Sequence, residues 1–215
     1  MIKRTVSIDF SKKIGKLKPV NCLNNGPKFG MELELDFTDQ YKEIAPGYVR
    51  VSGVEEPYAS SRYLDIHCIF PDMELDERFE GSYNFAPTDR YLSAVKECGA
   101  DIFLRLGESR EPYEVKSRTL PPRDSSKIAR ICERIIAHYN KGWANGFKYN
   151  IKYVEIMCDT DTQSGWSGTD EEYYELYCAV ASHLKEIYPK LKVGAYSSGG
   201  FFSLNHYNGT PEQKR

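Results

Sequence analysis

The sequence predicts an α/β fold: a parallel sheet covered by helices, with room for about five strands. Three observations carry this. Strand-like and helix-like runs alternate from residue 48 onward. The strand-like runs are continuously apolar rather than alternating, as strands buried on both faces are. Successive strands begin near residues 48, 101, 152 and 191, a spacing of roughly 40–50 residues per unit, at which a closed eight-unit barrel needs about 350 residues or more. The chain has 215.

The elements follow in order. Thr5–Phe10 (TVSIDF) alternates and reads as a first strand. Asn24, Asn25, Gly26 and Pro27 then form a turn cluster. Tyr48–Ser52 (YVRVS) is the second strand. The stretch from about 55 to 84 is rich in Tyr, Asp, Glu and Pro and weakly periodic, so it reads as an elaborated loop. A helix starts near Pro87 and runs through Leu92 and Val95, with Gly99 as the residue that ends it. Asp101–Leu106 (DIFLRL) is a continuous apolar strand with Arg105 embedded in it.

After Ser125 and Ser126, the residues Ile128, Ile131, Cys132, Ile135, Ile136 and Tyr139 fall on one helical stripe. Tyr153–Met157 is the fourth strand. Thr169-Asp-Glu-Glu172 is a capping box, because the Thr side chain and the Glu three residues on can each satisfy the other's free backbone N–H. The helix behind it places Tyr173, Leu176, Tyr177, Val180, Leu184 and Ile187 on one face and stops at Pro189. Leu191–Ala195 is the last strand. The reading is one domain over residues 1–215.

Composition narrows the function classes. Hydrophobic residues make up 40% and charged residues 28%, an ordinary globular balance. A formal net charge of −2 gives no electrostatic footprint for nucleic acid. The N-terminus MIKRTVSIDF lacks the apolar stretch of a signal peptide, and no run approaches the ~18 apolar residues of a membrane helix. Cys22, Cys68, Cys98, Cys132, Cys158 and Cys178 are scattered without a C-x-x-C pair. Four of them (98, 132, 158 and 178) lie inside apolar patterns, so all six read as reduced, mostly buried thiols of a cytoplasmic protein, with no zinc site. No G-x-G-x-x-G follows a strand, which argues against a dinucleotide site.

In parallel α/β folds ligands meet the carboxyl ends of the strands. Those ends read Arg50-Val-Ser-Gly53, Arg105-Leu-Gly-Glu-Ser109, Cys158-Asp-Thr-Asp161 and Tyr196-Ser-Ser-Gly-Gly200. Asp159, at the end of a buried strand, is either a solvated strand-end acid or a general acid. Glu155 shares its face with Met157 and Asp159 and requires a cationic partner such as Arg105. Arg50 and Arg105 either neutralise these acids or contact a sugar or phosphate. Trp166 either stacks a sugar ring or packs over the rim. The acids from Asp159 to Asp170 approximate a calcium loop, but Ser164 stands where the turn glycine belongs and a strand precedes it, so no metal and no other cofactor is expected.

Several segments resemble family-39 glycoside hydrolases, the β-xylosidase and α-iduronidase group. The most specific are EIMCDTDTQSGWSGTDEEYYELY and KLKVGAYSSGG; YVRVSG, YNFAPTDRYLSAVKECGADIFLRLGES and NNGP match more loosely. The resemblance implies a (β/α)8 TIM-barrel-like fold, here incomplete, covering about the first five units. It also implies a retaining mechanism with two carboxylates about 5–5.5 Å apart.

The resemblance places Asp159 at the glutamate that serves the family as acid/base. Cys158 stands at the preceding asparagine, Met157 at a tryptophan, Thr160 at a proline and Ser52 at the strand-two histidine. It implies carbohydrate contact by Arg50, Ser52, Glu108, Cys158, Trp166 and Tyr196. Aspartate is one methylene short, a misplacement that can cost ~10²-fold. The family's nucleophile lies on strand seven, and Arg215 follows soon after the fifth strand. Little or no hydrolysis is therefore expected of this chain. The alternatives are a non-catalytic carbohydrate-binding protein or a truncated or split half of a glycosidase. A second copy of the chain or a missing C-terminal half is the expected partner for an open sheet.

Overall fold

The computed structural model describes residues 5–12, 14–15, 20–27, 36–51, 63–111 and 113–195. Five parallel strands form one sheet in sequence order: β1 (Leu23–Asn24), β2 (Tyr48–Val51), β3 (Asp101–Leu106), β4 (Tyr153–Ile156) and β5 (Lys192–Ala195). The helices are α1 (Thr38–Ile44), α2 (Ile66–Ile69), α3 (Ala86–Glu97), α4 (Ser125–Lys141) and α5 (Asp170–Ile187).

One face of the sheet packs on the helices. Val49, Val51, Ile102, Leu104, Leu106, Val154 and Ile156 share a core with Leu92 of α3, Ile131 and Ile135 of α4, and Val180 and Leu184 of α5. The alternating residues Tyr48, Arg50, Phe103, Arg105, Tyr153 and Glu155 point to the opposite, concave face. The strand order never reverses and the helices lie on one side. The sheet is therefore singly wound, as in barrels, and lacks the switch point of a doubly wound fold. Tyr153, 41% exposed, shows that the concave face remains open among the described residues.

The local chemistry explains the elements. Asp124 caps α4 by accepting the Lys127 N–H, and Gly142, at φ 79°, ends it in the left-handed region. Both halves of the Thr169–Glu172 capping box are present at α5. Cys98 and Gly99 (φ 79°) close α3. Of the cysteines, all free, Cys98, Cys132 and Cys158 are buried, whereas Cys178 is exposed on α5, contrary to its apolar sequence context.

Two further expectations are corrected. Thr5–Phe10 is no strand: Val6, Ile8 and Phe10 are 81%, 68% and 91% exposed, so the alternation finds no core to bury against. The sheet instead begins at Leu23–Asn24, overlapping the turn cluster at Asn24. The helix α1 had no counterpart in the sequence reading, and it buries no residue.

Candidate functional site

The exit of β4 departs from regular backbone. Met157 and Asp159 adopt φ of 63° and 51°, a left-handed conformation uncommon for Met and more readily taken by Asp. The Met157 N–H still donates to the Leu106 carbonyl at 2.9 Å, so β4 stays tied to β3 while it kinks. Gly107 permits this approach. A Cβ there would lie 2.7 Å from Met157 Sδ and 2.8 Å from its Cα. The kink sends consecutive side chains to two places: Met157 lines a cavity on the helical side, and Cys158 turns toward Arg50.

At the concave face, Arg50 is a hub. Its Nε donates to Glu155 Oε2 at 3.0 Å and its Nη2 lies 2.8 Å from Oε1. Its Nη1 donates to Asn24 Oδ1 at 3.0 Å, and its Nη2 reaches Cys158 Sγ at 3.5 Å. Burial raises the Cys158 thiol above its ordinary range. Glu155 thus pairs with Arg50, not with Arg105 as the sequence led us to expect. Arg105 sits beside Glu155 in register, yet its guanidinium lies 2.6 Å from Asp65 Oδ1. Asp65 also accepts the Ser109 N–H and hydroxyl and lies 3.7 Å from Arg118. Asp159, one-fifth exposed, pairs through Oδ2 with Arg110 Nη1 at 3.3 Å.

The helical side holds a second cluster. The Glu108 carboxyl accepts the His67 backbone N–H at 3.2 Å and meets His67 Nδ1 at 2.6 Å. Burial pushes the Glu108 carboxyl up, with the His67 hydrogen bond opposing it, and that bond raises His67. Trp166 is 4% exposed, donates Nε1–H to the Thr169 carbonyl at 2.8 Å and packs edge-on against Tyr173. An open indole face for a sugar ring is therefore not what Trp166 presents. Glu108 and Trp166 both line a cavity of about 720 Å³, together with His67 and Met157.

The residues singled out in the sequence are thus divided. Arg50, Cys158 and Asp159 lie at the mouth of the concave face, and Glu108 and Trp166 on the helical side. Ser52 and Tyr196 lie outside the described residues. Arg110, His67 and Asp65 were not singled out by sequence reasoning. Arg110 follows β3 by only a few residues, and the strand-end rule could have included it; His67 and Asp65 sit in the weakly periodic loop, which gave no signal. His138 is structural, bridging Asp89 and the Trp143 carbonyl. Among the described residues, no group of three or more His, Cys, Asp or Glu is placed to hold a metal, and no helix is long and apolar enough to cross a membrane.

No protein-family model matches the chain. The chain is 22% identical to a β-xylosidase of Geobacillus stearothermophilus, over 80% of this chain and 35% of that protein. Its fold matches a glucosidase from Croceicoccus marinus with a TM-score of 0.69 and 27% identity, over 85% of this chain and 37% of the other. A GH39 enzyme from Xanthomonas axonopodis pv. citri shares the fold at a TM-score of 0.51 and 18% identity, over 75% of this chain and 31% of the other. The chain therefore spans about a third of the length of these relatives. In sequence and in its singly wound α/β architecture it resembles a portion of a family-39-like glycoside hydrolase barrel.

Proposed function

We propose that the chain binds a carbohydrate at the mouth formed by Arg50, Cys158 and Asp159, and that by itself it hydrolyses glycosides weakly or not at all. The likeness to a β-xylosidase and a glucosidase supports the ligand class. The observation that carries the weak catalysis is the pairing of Asp159 with Arg110 at 3.3 Å. A general acid must present a proton to the leaving oxygen. Here a short carboxylate on a left-handed backbone is turned toward a guanidinium, and the Glu155 carboxylate of the same face is held by Arg50. Six free thiols support a reducing, cytoplasmic setting.

A second reading is favoured by the span of the similarity, about a third of each relative. In it, further strands complete the barrel and supply the second carboxylate, and Asp159 is the acid.

Calorimetric titration with xylose and glucose, beside hydrolysis of their 4-nitrophenyl glycosides, tests both readings. Binding without turnover, weakened in Arg50→Ala, is the expected result. Turnover that is lost in Asp159→Asn overturns the weak-catalysis claim. A folded chain that binds neither sugar overturns the binding claim.

A further inference from the structure

The cavity of about 720 Å³ on the helical side belongs to neither the concave face nor its mouth. Its size lies within the range of small-molecule sites, ~300–1,000 Å³. Its walls are largely apolar, with Met73, Leu120, Pro121, Ile128 and Leu176 joined by Trp166. Into this wall the fold sets a buried carboxyl and its imidazole partner. Glu108 is 5% exposed, its Oε1 is engaged by His67, and its Oε2 has no hydrogen-bond partner among the described residues. His67 is one-third exposed and lines the cavity.

With Nδ1 turned to Glu108, the imidazole has Nε2 left for a ligand, and the carboxylate behind it favours the protonated ring, whose Nε2 is a donor. Arg118 and Arg123 line the same cavity. Lys127 lines it too, and Arg118 faces Asp65 at 3.7 Å. Of the acids there besides Glu108, Asp124 is occupied at the α4 cap and near Arg130, Asp72 accepts the Glu74 N–H, and Glu74 also lines the wall. The wall thus offers a carboxylate ligand His67, Arg118, Arg123 and Lys127 as partners.

We propose that this cavity is a second small-molecule site, for a mostly apolar ligand carrying one carboxylate, which His67 holds with Arg118 and Arg123 beside it. The Glu108 carboxylate orients the imidazole without touching the ligand, in the way a second carboxylate orients a working histidine elsewhere.

The test is calorimetric titration of the full chain with 2-naphthoate and with its neutral counterpart 2-naphthalenemethanol. The carboxylate is expected to bind about tenfold or more tightly than the alcohol, as a charge-assisted hydrogen bond requires. His67→Gln should erase that preference. Leu120→Trp, at a partly exposed position of the wall, should fill the cavity and abolish both without disturbing the core. Xylose should not compete. Equal binding of acid and alcohol, binding unchanged in both variants, or no binding by the folded chain overturns the proposal.

Discussion

Arg50 grips Glu155 through two contacts of 3.0 and 2.8 Å, reaching across β3 from β2 to β4. The Glu155 side chain is 6% exposed and that of Arg50 26%. Removing one partner strands the other charge. Arg50→Met should therefore destabilise the fold by about 2–3 kcal/mol, less than for a fully buried pair because Arg50 is partly solvated. The double variant Arg50→Met, Glu155→Met should recover much of this loss. Urea midpoints of the two single variants and the double variant measure it.

Gly107→Ala should destabilise by about 1–3 kcal/mol. The added methyl meets Met157 Cα and N, which are backbone and cannot swing away as a side-chain end can. The change should also move the β4 exit, so the chemical shifts of Met157, Cys158 and Asp159 should respond more than those of α5.

Glu111 organises the loop between β3 and α4. Burial works against its charge, but hydrogen bonds from Ser117, Arg118 and Thr119 prevail and hold its carboxyl down to about 2. A carboxyl lowered in the folded state stabilises it above the unfolded value of ~4.3, and that contribution fades as pH falls from about 5 toward 2. Glu111→Gln should flatten this part of the stability–pH curve. Thermal midpoints between pH 2.5 and 7 check it, and proteolysis should find the loop more readily in the variant at neutral pH.

Thr169→Ala removes one half of the α5 capping box and should lower stability by about 1 kcal/mol, or about 2–4 °C in Tm. The Trp166 Nε1–H bond to the Thr169 carbonyl uses backbone and should survive. Unchanged tryptophan emission beside a lowered Tm is the expected result.

What was legible in the sequence follows from where side chains are buried. Ile131, Ile135 and Val180 show helical spacing because they pack on the sheet, and α4 and α5 were read from that stripe and from the Thr169 cap. The helix α1 buries nothing, so it leaves no stripe. Thr5–Phe10 has strand periodicity but no partner surface, and pattern alone cannot tell the two cases apart. At the site, alternation put Glu155 on one face with Met157 and Asp159, but the kink at Met157 turns the Met157 side chain into the helical-side cavity. The expected partner Arg105 sits beside Glu155 without pairing with it. Their pairing failed because Asp65, from a loop the sequence could not place, claims Arg105. The division of Cys158 from Glu108 and Trp166 depends on two left-handed residues, Met157 and Asp159. Asp takes that conformation more often than most, but Met does so rarely, and the strand pattern held no sign of a kink there.

The shortest strand is pinned by more than its ladder. β1 contributes two residues to the ladder, which alone would leave it fraying. Its Asn24 side chain is held by Arg50, the Asn25 amide donates to the Arg50 carbonyl at 2.7 Å, and the Gly26 amide donates to the buried Tyr91 hydroxyl, also at 2.7 Å. β5 has four residues, with Lys192 and Ala195 exposed. In native-state hydrogen exchange the two margins of the sheet should therefore part company. The amides of Asn25 and Gly26 should open together with α3 and the Arg50 hub, while those of β5 exchange through small local fluctuations, and the cooperative unit should include the strand that looks weakest on length alone.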